Sequence, residues 1–254
     1  MARDMNFKQS TLGDILDSER EMVLRAHERY GSIYHHAQKF TSLLNTGFIK
    51  SIHPDRYLFG MFMATIKKHH SLALFSVLRL HHVQGMMDIR QVLEAGACAA
   101  YAIANLDKED FVDVNEDGTL DPSQKLTKKR YDWLDQHFKA GSDGIKRLKD
   151  VINSSTAHAN LVSAHSNFRA EFEAGRFSTP YFDIEDEEMV KTDLWLTANI
   201  IMGVMDLLYG VDAKFNGFVI QPGWKDKFLK LNQENVKIKA EMMNHERLKR
   251  FMKS

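Results

Sequence analysis

Apolar residues recur along most of this chain at intervals of three and four, the period of a helix face, and single alternation is confined to short stretches. From Ile15 to Leu44, the positions Leu16, Met22, Val23, Ala26, Tyr30, Ile33, Ala37 and Phe40 form one broad stripe, which predicts a first helix closed by the turn sequence NTGFIKSIHPD. A second helix, from Asp55 to His82, is apolar on several faces and so belongs in the interior; Gly85 is its expected break from a third. That third helix, MMDIRQVLEAGACAAYAIAN, is rich in alanine and glycine, which lets neighbouring backbones approach, and so reads as central. A fourth is expected over Lys128 to Phe138 and a fifth over Ile145 to His165. FRAEF and RFSTPYF alternate across Gly175 and predict a hairpin near 168–182, with Pro180 at a sheet edge. The acidic run from Asp183 suits the start of a helix that continues to Tyr209, and a last helix runs from Trp224 to Met252. The expected class is all-α: a multi-helix bundle over residues 1–222 with a small β-hairpin, and a long C-terminal amphipathic helix over 223–254.

Composition narrows the function classes. The 34 basic residues balance the 34 acidic ones, so no global field draws the protein to nucleic acid or an anionic membrane, and nucleic acid is an unlikely partner on this ground. A single cysteine, Cys98, excludes an intramolecular disulfide and fits a reducing, cytoplasmic setting. The first residues, MARDMNFKQS, contain no apolar stretch of signal-peptide type, and no membrane association is expected.

Several motifs carry candidate chemistry. In the stretch DVNEDGTLDPSQ, Asp113, Asn115, Asp117, Thr119 and Asp121 stand at the ligand positions of a calcium loop, with Gly118 at the sharp turn. The twelfth position is Gln124, which lacks the bidentate charge of glutamate, so calcium is at best a weakly held cofactor and a polar turn is the simpler reading. The acidic segment 107–121 is expected as a surface loop. Histidine pairs such as His35-His36, His69-His70 and His81-His82 diverge by about 100° on a helix and do not chelate one ion. The Arg-x4–6-His spacing of helical ribonuclease toxins occurs four times, Arg130/His137 among them, but it is common enough by chance to carry little weight.

The group that best suits a site is RQVLE, in which Arg90 and Glu94 share a face of a helix otherwise made of small apolar residues. They are expected to face inward as a pair that needs further partners, with candidates on the fifth helix in Ser154, Ser155, His158 and His165. One role is structural. Another is a small-ligand site, or an enzymatic one of hydrolase or nuclease type, in which Arg90 holds an anion and Glu94 or His158 acts as base while Ser155 and His165 contact ligand. The runs RLHHVQGMMDIRQVLEAG, AAYAIAN and NSSTAHANL together resemble a class of bacterial helical proteins of unknown function with an arginine-x3-glutamate helix and a later serine/histidine helix. The resemblance spans about residues 55–170; it implies a helical bundle and points to Arg90, Glu94 and His158, without a reaction. In the last helix, Phe228, Leu231, Asn235, Ile238 and Met242 resemble a coiled-coil seam. Three expectations stand there: docking on the chain's own bundle, a homo-oligomer registered by Asn235, and, because nine Lys/Arg face four Asp/Glu from Trp224 to Ser254, a surface for nucleic acid or an acidic partner, which no recognition motif favours. The role expected overall is that of a binding or regulatory module acting through protein or small-ligand contacts.

Overall fold

The computed structural model describes residues 11–123, 125–155, 168–171, 176–178, 181–183 and 186–244. Among them the chain forms eight α-helices and three two-stranded antiparallel ribbons, an all-α bundle whose strands serve only as clasps.

The helix expected from Ile15 to Leu44 is two helices. Helix α1 (Leu12–Leu24) starts from a capping box in which the Thr11 hydroxyl accepts from the Asp14 amide and the Asp14 carboxylate accepts from the Thr11 amide. The chain leaves the helical region at Arg25, and α2 (Ala26–Ser42) bends again at Gly31, whose φ of 51° is open to glycine at little cost. The stripe weakens before the first interruption, where Leu16 is exposed and Met22 and Val23 are only partly buried against the core, and in α2 it runs through the bend, with Ala26, Tyr30, Ala37 and Phe40 all reaching that core. A π-helical turn, Leu43–Gly47, ends α2.

Helices α3 (Tyr57–Leu78) and α4 (His82–Ala104) lie against each other as the central hairpin of the bundle. Their joint is Arg79 to His81, where Leu80 holds a left-handed φ of 59°; the expected break at Gly85 is three residues inside α4. A β-carbon on Gly85 would stand 3.1 Å from Val77 Cγ2 and 3.5 Å from the Ala73 carbonyl, so this glycine serves close helix packing and not chain reversal. Gly96 does the same toward α7 (Glu187–Phe215), with Val204 Cγ1 3.1 Å from where its β-carbon would be. Helix α7 begins at an Asp186 cap rather than at Asp183, its first turn carrying Glu187 and Glu188. It is long and apolar enough to cross a membrane, yet half of its most apolar window is buried inside the bundle, where Asp193 and Thr197 are also buried. It is a core helix.

Helices α5 (Leu126–His137) and α6 (Lys139–Ser155) pack together on the flank of α4. The acidic segment expected as a loop folds into a hairpin of β2 (Val112–Val114) and β3 (Leu120–Pro122), and the expected hairpin near 168–182 is present as β4 (Arg169–Glu171) paired with β5 (Arg176–Ser178). The third ribbon was not foreseen: β1 (Ile49–Ile52) pairs with β6 (Phe218–Ile220), elements too short to show a period. Behind it Phe48, Phe59, Phe218, Trp224 and Phe228 stack with ring centroids 4.8 to 5.4 Å apart, which anchors the start of α8 (Trp224–Met243). The seam of α8 docks within the chain. Phe228, Leu231 and Asn235 are buried, and Asn235 hydrogen-bonds His36 Nε2 of α2 at 3.1 Å and Asn199 of α7 at 2.9 Å.

Candidate functional site

Helix α4 presents Arg90 and Glu94 one turn apart, and they do pair, Arg90 Nε donating to Glu94 Oε1 at 3.3 Å. Their side chains are 30% and 27% exposed, so the expectation of an inward-facing pair is corrected to one at the margin of the core. The helix packs against α3 and α7 and, on its flank, against α5 and α6, and this polar pair meets the latter. From α6, Lys149 Nζ comes within 2.9 Å of the same Glu94 oxygen. Burial works against the charge on Glu94, but the Lys149 bond and charge, with Arg90 and Arg130, outweigh it and hold the carboxyl below its usual range.

Arg130 of α5 completes the group. It is 7% exposed, and its Nη1 donates to Cys98 Sγ of α4 at 2.7 Å. Burial raises the Cys98 thiol above its ordinary value despite that guanidinium, so Cys98 is a neutral acceptor and not a counter-ion. Arg130 Nε has no hydrogen-bond partner and, among the described residues, no carboxylate lies within ion-pair distance of the guanidinium. The ring of Tyr131 gathers further charge: Arg130, Lys146 and Lys149 stand 5.1, 5.4 and 5.4 Å from its centroid, and Lys149 also donates to its hydroxyl. Lys146 is neutralised by Asp135 at 2.6 Å. Among the described residues, what remains is three cations, Arg90, Arg130 and Lys149, against the single carboxylate of Glu94, in a setting largely withdrawn from water.

The structure brings together only part of the group proposed from sequence. Ser154 is on the surface, its hydroxyl donating to the Val151 carbonyl, and Ser155 closes α6. His158 and His165 lie outside the described residues, as does Gln124. Arg130 and Lys149 were not assigned to this site in the sequence, although one signal for Arg130 was readable: it stands four residues before Leu134, on the face that α5 buries.

The calcium-like residues take up a hairpin. Asp113 and Asp121 are directly opposite across β2 and β3. Asn115 donates to Thr119 Oγ1 and Asp121 Oδ2, both at 3.0 Å, and Asp117 Oδ1 accepts from the Thr119 amide and hydroxyl at 2.9 and 2.6 Å. These polar groups hold a turn around Gly118, with its φ of 81°, by bonding one another. Among the described residues no group of three or more His, Cys, Asp or Glu is placed to hold a metal ion.

No family model, curated protein or solved structure matches the chain.

Proposed function

We propose that this protein is a binding module for a small anionic ligand, a phosphate or carboxylate group seated over Arg90, Arg130 and Lys149. The observation that carries this reading is Arg130, a guanidinium nine-tenths buried that has a thiol and an aromatic ring as neighbours and, among the described residues, no carboxylate within ion-pair distance, the charge of Glu94 being shared with Arg90 and Lys149. A buried cation without a partner costs the fold several kcal/mol, on the order of 3–5. A bound anion offsets that cost, and the guanidinium fork suits two oxygens of one phosphate or carboxylate. Binding is favoured over catalysis because Glu94, held ionised by three cations, is a weak base at neutral pH. The resemblance to helical proteins with an arginine-x3-glutamate helix agrees with this use of α4. A reducing, cytoplasmic setting suits the buried thiol beside Arg130. Self-association through α8 is assigned to the outer stripe of Leu229, Val236 and Met243, because the inner seam is already docked.

The test is calorimetric titration of the full chain with inorganic phosphate and with acetate. The expected result is saturable binding of at least one of them that weakens with added sodium chloride and is lost in both Arg90→Met and Lys149→Met. Binding unaffected by these substitutions, or none to either anion, contradicts the proposal.

A further inference from the structure

The adjacent histidines at the start of α4, set aside in the sequence because they diverge, each have a separate carboxylate. His81 Nε2 is 3.0 Å from Glu19 of α1, with Arg79 Nη1 3.9 Å from the other Glu19 oxygen. His82 Nδ1 is 2.6 Å from Asp193 Oδ2 of α7. Asp183 reaches the same corner from the 181–183 segment by two bonds: its carboxylate accepts from the His82 amide at 2.6 Å, and its own amide donates to the Leu80 carbonyl at 2.9 Å. The rings of Tyr181 and Phe182 pack on His81 at 5.1 and 5.6 Å. Three parts of the chain that are remote in sequence thus meet at one joint between α3 and α4, and that joint contains Leu80, a branched residue in the left-handed region.

The charge arrangement there depends on protons. Asp193 is buried, and its only ionisable hydrogen-bond partner among the described residues is His82. With His82 protonated the two form a charge-assisted pair; with His82 neutral, a carboxylate is left in the core without a counter-ion. The facing groups are Asp193 from α7 and Asp183 from the 181–183 segment at His82, and Glu19 from α1 and Arg79 from the end of α3 at His81. We propose that this corner is a proton-operated joint: protonated His82 locks the α3–α4 turn to α7 and the 181–183 segment, and loss of that proton releases the segment. Burial alone lowers the His82 value, but the bond and charge of Asp193 and the charge of Asp183 outweigh it and raise it, while burial raises that of Asp193. The pair therefore retains its proton to higher pH than either free group. The lock is present below the ordinary histidine range and is lost as pH rises through the raised value. A cleft of about 370 Å³ lined by His81, Val83, Gln84, Tyr181 and Asp183 adjoins the joint, so its release would also alter that surface.

The experiment is hydrogen exchange on the full chain between about pH 5 and about pH 8, the span in which histidine changes charge, with rates corrected for intrinsic pH dependence. The readouts are the His82 amide, bonded to Asp183, and the Asp183 amide, bonded to Leu80. The expected result is a several-fold loss of protection at both amides with rising pH, in step with the His82 ring titration followed by NMR, and a pH-independent level in His82→Gln. Should His82→Gln fail to fold, Asp193→Asn takes its place, since it removes the buried charge that loss of the proton exposes; it too must abolish the pH dependence. Protection in the native chain that does not vary with pH, or that varies equally in the variant, overturns the proposal.

Discussion

Two histidines, one half-buried and one buried, show how the same side chain is used with opposite signs. His82 is supported in its charged form by Asp193 and Asp183, whereas His70 is 2% exposed, hydrogen-bonded at Nε2 to the Thr41 hydroxyl at 2.9 Å, and has no carboxylate in ion-pair distance among the described residues. Burial therefore lowers His70 to about 4. Its folded value lies below its unfolded one, so the stability linked to it is complete above about pH 6.5 and is lost as pH falls toward about 4. The loss is on the order of 3 kcal/mol for a shift of this size. Urea unfolding at a series of pH values should show that decline, and His70→Gln should flatten it; a variant with the native slope would contradict the assignment. Arg90 and Glu94 were legible in the sequence because their i, i+4 spacing is local. Arg130 was harder to place, since its nearness to Cys98 arises only when α5 closes on α4.

At the scale of elements, long periodic segments were legible and their ends were not. The stripe from Leu16 to Phe40 predicted helix correctly but concealed the break at Arg25 and the bend at Gly31, because the apolar spacing continues through both although α1 is only partly buried at Met22 and Val23. Gly85 reads as a break in the sequence, whereas its actual duty is contact with Val77 and Ala73; the turn falls on Leu80, a residue type that carries no turn signal. The β1–β6 clasp leaves no mark in the sequence because its strands of four and three residues are short and distant from each other. The hairpin of β2 and β3 bears directly on the calcium motif. Since Asn115, Asp117 and Thr119 spend their polar groups on one another, calcium should bind more weakly than about 10⁻⁴ M, the range of the weaker loops. Calorimetric titration with calcium chloride checks this. A submicromolar affinity that disappears in Asp113→Ala and Asp117→Ala would show that the loop reorganises around the ion.

In the whole molecule, α4 is the axis on which the polar chemistry is arranged. Its first turn carries the histidine joint, and two to three turns further, about 12 to 18 Å along the helix, it carries the cation group closed by α5 and α6. The fold class was legible throughout because periodicity and the scarcity of proline are properties of the entire chain, whereas the site depended on which helices meet, which is a tertiary fact. The same dependence separates the binding reading from a structural one. If Arg130 stabilised the fold, removing it would weaken the protein; if it is kept for a ligand, the empty protein bears a cost that removal relieves. The most direct measurement is therefore the unfolding free energy of the native chain and of Arg130→Met, each with and without saturating inorganic phosphate. The account predicts that phosphate stabilises the native chain, that Arg130→Met without phosphate is as stable as the native chain or more stable by up to about 3 kcal/mol, and that phosphate no longer affects the variant. An Arg130→Met protein that is several kcal/mol less stable, and still gains from phosphate as the native chain does, would contradict it.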